Sequence, residues 1–196
     1  PMDVVKKAAA MGLTSITLPE AIGGGGMGQV ANSIVLEEIG YQDSGFATTI
    51  GACSLSYEPI AQYGTDEQKN LYGKFIVDGG LAAFALTEAD AGSDVANART
   101  TAVHEGHEWV INGTKCFITN APLASVFTVF AVTTPDAGTH GLSCFIVERD
   151  RPGVSVGKDE DKMGIRLSNT SEVVFDNVRV PDDHLVGKEG SGFKMA

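Results

Sequence analysis

Residues Glu108 to Asn120 read EWVINGTKCFITN. Two runs rich in β-branched and aromatic residues flank Asn112-Gly113. Both residues of that dipeptide tolerate the positive φ of a type I′ turn, so the stretch predicts a β-hairpin turning at 112–113. Strand-like runs continue downstream: SVFTVFAV (125–132), GLSCFIVE (141–148), VSV (154–156) and SEVVFDNVRVP (171–181), separated by Gly, Pro and Asp. Upstream of Gly79 the apolar period lengthens to that of a helix. MDVVKKAAAMG ends in a glycine stop, and GQVANSIVLEEIG sets Val30, Ile34, Leu36 and Ile39 close to one face. In TDEQKNLYGKFIVDGG, Thr65 is followed three residues later by Gln68, a capping-box pattern, and Leu71, Phe75 and Ile76 give the helix an apolar side. The expected fold is α+β. An all-α domain spans residues 1–80, an antiparallel β-barrel or sandwich domain spans 81–188, and residues 189–196 open a further helical domain.

Composition sets outer limits. With 196 residues and 43% hydrophobic side chains, the chain can bury one good core or two small ones. The formal net charge of −11 argues against nucleic acid and against anionic lipid surfaces, both of which demand clustered Lys and Arg. No apolar run approaches the roughly 18 residues needed to cross a bilayer, and the amino end lacks the continuous apolar core of a secretory signal; a cytoplasmic protein is expected. Cys53, Cys116 and Cys144 are scattered, with no C-x-x-C pair, and read as buried reduced thiols. His104 and His107 flank Glu105-Gly106, read as a turn, and no third ligand lies near them, so no metal site is expected.

LPEAIGGGGMGQV, Leu18 to Val30, tests a nucleotide-binding reading. Gly23, Gly25 and Gly28 satisfy G-x-G-x-x-G. A dinucleotide fold, however, needs a second parallel strand carrying an acidic residue about 20 positions on. Here YQDSGFATTIGACSLSYEPIAQYG follows, which reads as more helix, and no G-K-[ST] ending marks a P-loop. The glycines therefore read as a flexible turn between helices. FALTEADAGSDVA, Phe84 to Ala96, is more informative. An apolar strand ends in Thr87, whose hydroxyl can donate and accept, and the small-residue loop at Ala91, Gly92 and Ser93 exposes backbone amides to a polar ring edge or a phosphate. As a Ca²⁺ loop the segment fails, because Arg99 stands where a carboxylate belongs.

Leu86, Thr87, Glu88, Ala91, Gly92, Ser93 and Asp94 match the pattern L-T-E-x-x-A-G-S-D, and KCFITNA matches K-x-[WF]-I-T-N. With LPEAIGGGGMG, VLEEIG, MGIRLSNTSEVVFDNVRVP and GKEGSGFKMA in the same order, most of the chain resembles the acyl-CoA dehydrogenase family. Ala89 stands where the family commonly has Pro, Asp90 adds a carboxylate, and Phe117 replaces a frequent Trp.

The resemblance implies an FAD enzyme that oxidises an acyl-CoA thioester to its trans-2-enoyl product. In such enzymes a carboxylate takes the α proton while a hydride leaves the β carbon for the flavin. It implies a cofactor site of Phe84, Leu86, Thr87, Gly92, Ser93, Phe117, Ile118 and Thr119, with substrate contacts at Ser93 and Thr139. The Leu86 amide and the Thr87 amide and hydroxyl would supply donors where negative charge accumulates on the flavin. The catalytic glutamate is expected beyond Ala196, in a C-terminal helical domain, and Glu88, inside the flavin loop, is expected to serve structure. The 196 residues alone are accordingly expected not to turn over substrate. The resemblance further implies electron transfer to an electron-transferring flavoprotein and a homotetramer or homodimer. Two alternatives stand beside it: an acyl-CoA oxidase that delivers electrons to O₂, and a noncatalytic flavin- or acyl-CoA-binding scaffold.

Overall fold

The computed structural model describes residues 2–196. Helices α1 (Met2–Ala10), α2 (Gln29–Gln42), α3 (Ser44–Tyr63) and α4 (Asp66–Val77) precede eight strands: β1 (Leu81–Ala85), β2 (Thr101–Glu105), β3 (Glu108–Thr119), β4 (Ala124–Val132), β5 (Leu142–Glu148), β6 (Val154–Val156), β7 (Thr170–Pro181) and β8 (Leu185–Val186). The helix boundaries have local causes. Asp43 accepts from the Phe46 amide at 2.7 Å and starts α3. At α4 both bonds of the capping box form: the Gln68 amide donates to Thr65 Oγ1 at 3.2 Å, and the Thr65 amide donates to Gln68 Oε1 at 3.0 Å.

The strands form one sheet in the order β6-β7-β3-β2-β4-β5-β8, with β1 pairing to β4 off that path. The α+β class holds, and the sheet is mostly antiparallel. It is open rather than closed into a barrel, and β1 runs parallel to β4, Leu81 beside Ala124 and Ala85 beside Val129. Helices pack on one face only. Val126 and Phe130 of β4, with Cys144 and Ile146 of β5, point into a core shared with Tyr57, Ile60, Tyr72 and Ile76 of α3 and α4. The alternate residues Phe127, Val129, Phe145 and Val147 point into a second core with Trp109, Phe175 and Val178. Strands buried on both faces need unbroken apolar runs, which is why SVFTVFAV and GLSCFIVE lack the usual polar alternation. Thr128 is the polar exception: its hydroxyl donates to the Ser56 carbonyl at 2.6 Å and lies 2.8 Å from the Tyr72 hydroxyl. Burial raises the Tyr72 phenol above its ordinary range.

Several expectations need correction. The hairpin joining β2 and β3 turns at Gly106-His107, with Glu105 opposite Glu108, and not at Asn112-Gly113. Asn112-Gly113 lies inside β3, where a bulge interrupts pairing with β7, and the Asn112 side chain accepts from the Asn177 amide at 2.8 Å. A Cβ on Gly113 would stand 2.4 Å from Thr100 Oγ1, so the glycine answers a close approach and not a turn. On α2, Val30 and Ile34 are exposed, at 77% and 56%, where one buried apolar face was expected. The glycine run is not a loose turn. The amides of Gly25, Gly26 and Met27 donate to the carbonyls of Ser15, Leu18 and Ile16, and a Cβ on Gly24 would fall 2.2 Å from the Leu18 carbonyl oxygen. His104 belongs to β2 and not to a turn; it lies 2.6 Å from Asp182 and packs at a tilt against Trp109, while His107 is exposed. GKEGSGFKMA, expected to open a further helix, carries a 3-10 turn at Gly192–Lys194.

All three cysteines are buried and unpaired, as expected, and burial pushes the Cys53 thiol up to about 11. Among the described residues no His, Cys, Asp and Glu cluster could hold a metal ion, and no helix is long and apolar enough to cross a membrane.

Candidate functional site

A cavity of about 450 Å³ opens between the helices and the sheet, lined by Leu36 of α2, by Ala47, Thr48, Gly51, Ala52 and Leu55 of α3, and by Phe84, Thr87, Phe117, Ile118 and Thr119. Five residues singled out from the sequence therefore meet in one place. They arrive from two segments. Phe84 and Thr87 lie at and just beyond the end of β1, and Phe117 to Thr119 form the last residues of β3.

Beyond Thr87 the chain makes a tight turn. Glu88 and Ala91 exchange amide-to-carbonyl bonds of 3.0 and 3.2 Å, so the turn closes without the proline that Ala89 replaces. Gly92 and Ser93 then lie exposed on the loop rim and do not line the cavity; nor does Leu86. Thr139 sits in a separate 3-10 turn, Gly138–Gly141, that packs beside the Val95–Asn97 turn following the loop.

The end of β3 is irregular. Phe117 and Asn120 both hold positive φ, 57° and 68°, and pairing with β7 shifts register between Lys115 and Ile118. Positive φ is uncommon in residues other than glycine and costs of order 1–3 kcal/mol each, so surrounding bonds must enforce it. The bulge turns Phe117 outward, 68% exposed, while Ile118 stays buried. Asn120 supplies the enforcement: its Nδ2 donates to the Thr49 carbonyl of α3 at 2.9 Å and to the Ala82 carbonyl of β1 at 3.1 Å, and its amide donates to the Asn169 carbonyl at 2.8 Å.

Under the loop lies a buried charge pair. Lys115 Nζ, fully buried, donates to Glu88 Oε1 at 2.7 Å and to the Leu86 carbonyl at 3.0 Å. The same carboxylate accepts from the Arg99 amide at 2.7 Å and from the Thr100 amide at 3.1 Å. Burial alone would raise the Glu88 carboxyl, but the Lys115 ammonium and these N–H donors outweigh it and hold it below the ordinary range. Burial lowers the Lys115 ammonium, with Glu88 opposing. Glu88 is thus occupied by structural bonds, consistent with the role expected of it.

Sequence reasoning missed Lys115, Asn120 and the entire α3 wall. The signal for the wall was present: Ala47 and Gly51, four residues apart, leave one helix face bare of bulk, and a Cβ on Gly51 would meet Leu36 Cδ1 at 3.4 Å.

The arrangement can hold a flat apolar ring with a polar edge. Phe117 and Ile118 offer a face, Thr87 and Thr119 offer hydroxyls, and the bare side of α3 leaves room for a second, slender apolar group. Comparison with known proteins agrees with that chemistry. A family model described as acyl-CoA dehydrogenase, N-terminal domain, matches residues 1–80, and one described as acyl-CoA dehydrogenase, middle domain, matches residues 83–178. The chain belongs to the acyl-CoA dehydrogenase family. Among its relatives, an acryloyl-CoA reductase (NADH) of Anaerotignum propionicum is 44% identical over all of this chain and 50% of the relative. The solved butyryl-CoA dehydrogenase of Megasphaera elsdenii is 39% identical with a TM-score of 0.93, over 98% of this chain and 52% of the other. An acyl-CoA dehydrogenase of Bacillus anthracis solved with FAD is 38% identical with a TM-score of 0.91, over 99% of this chain and 34% of that one. The chain spans about half the length of the curated relatives it matches, 50% and 52% for two of them.

Proposed function

We propose that the protein acts as an FAD-dependent acyl-CoA dehydrogenase, converting an acyl-CoA thioester to the trans-2-enoyl-CoA and passing the electrons to an electron-transferring flavoprotein. The observation that carries this reading is the convergence of Thr87 and Phe117–Thr119 on one cavity, opposite the bare face of α3. The donor set fits the cofactor: an aromatic and an aliphatic side chain match a planar tricyclic ring, and threonine hydroxyls match its carbonyl and nitrogen edge. FAD, when bound, supplies the hydride acceptor. This chain's residues bind and orient. The Leu86 and Thr87 amides and the Thr87 hydroxyl would supply donors to the electron-rich edge of the ring, where preorganised donors stabilise developing negative charge. Phe117 and Ile118 would offer it an apolar face, and Thr119 would offer it a hydroxyl. Ser93 and Thr139 would hold the phosphate-bearing parts of cofactor and substrate, and Gly92 would let the loop backbone come close. Ala47, Gly51 and Ala52 pass the acyl chain and exclude water around it. The residue that removes the α proton would be a glutamate beyond Ala196.

The same reading divides the chain at residues 80 and 188 and includes a homotetramer or homodimer in the cytoplasm. It is tested with the full-length protein by following its visible spectrum during titration with acyl-CoAs of graded length. A yellow protein bleached by one length range, without peroxide release, is the expected result. A colourless protein unable to take up added FAD would sink the reading, and peroxide formation would replace the dehydrogenase by an oxidase.

A further inference from the structure

The Glu88–Lys115 pair touches both segments that face the cavity without lining it. Lys115 Nζ holds the Leu86 carbonyl, the Cys116 amide donates to the Thr87 carbonyl at 2.8 Å, and Glu88 itself is held by Lys115. Three consecutive loop residues are therefore each bonded to β3 at Lys115 or Cys116, immediately before Phe117. A buried ion pair is a poor source of net stability, since well-packed apolar residues often serve as well. What charge adds is selectivity: the carboxylate bonds to Lys115, Arg99 and Thr100 are all met by one loop geometry.

We propose that Glu88 and Lys115 are positioning residues that fix the distance between the Leu86–Thr87 donors and the Phe117–Thr119 wall, and thereby the fit and electronic environment of the flavin. The inference rests on the FAD reading above. Neither residue touches the ring; each acts through the backbone of residues that do.

The test uses the full-length protein with Lys115→Met, Glu88→Gln and the double variant, and Val180→Ala as a packing control in the second core. Melting temperature, FAD affinity of the apoprotein and the visible flavin spectrum are read for each. Both single variants are expected to bind FAD about tenfold more weakly or worse, equivalent to ~1.4 kcal/mol or more, with an altered visible band. The double variant, having no uncompensated charge, is expected to regain melting temperature without regaining affinity. Lys115→Arg should fall between wild type and Lys115→Met. If a single variant does not fold, the double variant and Lys115→Arg give the same readings. Affinities within about twofold of wild type with an unchanged spectrum would overturn the proposal. So would Val180→Ala weakening FAD binding equally at a matched loss of melting temperature. A wild-type protein that binds no FAD would instead overturn the flavin reading itself, and this proposal with it.

Discussion

Asn120 Nδ2 donates to the Thr49 carbonyl at 2.9 Å, so one buried amide group ties the end of β3 to the middle of α3. Its second hydrogen goes to Ala82 of β1, and its backbone is held at φ 68°. Asn120→Ala removes two buried donors from their carbonyls and keeps the unfavourable backbone angle. A loss of about 2–4 kcal/mol in urea unfolding is expected from the hydrogen-bond terms. Asn120→Asp, nearly isosteric, brings a carboxylate against two carbonyl oxygens and is expected to be worse than Ala.

The two halves of the α4 capping box are not equivalent. Thr65 caps the helix locally, whereas Gln68 Nε2 also reaches outside it, donating to the Asp183 carbonyl at 2.6 Å and the Leu185 carbonyl at 2.9 Å. Thr65→Ala should cost about 1 kcal/mol, the usual value of a cap. Gln68→Ala should cost about 2–3 kcal/mol, since it also unties the helix from the β8 region. Denaturant midpoints of the two variants decide the order.

Gly113 tests the corrected hairpin. In a two-residue turn Gly113→Ala would cost little beyond strain, but within β3 a methyl group would collide with Thr100. A loss of about 1–3 kcal/mol is expected from overpacking. The double variant Gly113→Ala/Thr100→Ser should recover none of it, because Thr100 Oγ1, Cα and Cβ all approach within 2.7 Å. Gly106→Ala, at the actual turn with φ 69° and open space around it, should cost about 1 kcal/mol.

Glu88 sets an acid dependence. Its folded-state carboxyl titrates below the ordinary 4.5, so the stability it contributes is complete above that value and is lost as pH falls through the depressed one. Glu88→Gln should be less stable than wild type at neutral pH, and the gap should narrow in acid. Urea unfolding across that range checks the sign: a gap that widens on acidification would contradict it.

Much of the fold was legible because its causes are local. The β-branched and aromatic runs of the strands, the Thr65–Gln68 spacing and the isolated cysteines each follow from neighbouring residues. Thr87 and Phe117–Thr119 could be singled out because their segments carry a family pattern, and the structure draws them to one cavity. What escaped depends on distant partners. Asn112-Gly113 carries a strong turn propensity, yet the approach of Thr100 overrides it. Lys115 stands in the matched K-x-[WF]-I-T-N pattern, but its partner Glu88 lies 27 residues away in sequence and only the fold brings the two together. The apolar spacing of Val30 and Ile34 shows that α2 has an apolar face but cannot say what covers it. The α3 wall is mostly small side chains, Ala47, Thr48, Gly51 and Ala52 beside the larger Leu55, and their contribution is the absence of bulk.

The parallel pairing of β1 with β4 has one more consequence. The polypeptide departs at Ala85 and comes back at Ala124, having enclosed Thr87, Lys115 and Thr119 within a single detour. A protease nick on the exposed rim at Gly92-Ser93 would free no fragment, because β1 stitches down one new terminus and the β2–β3 ribbon the other. The clipped molecule would travel as one particle and separate into two only when denatured.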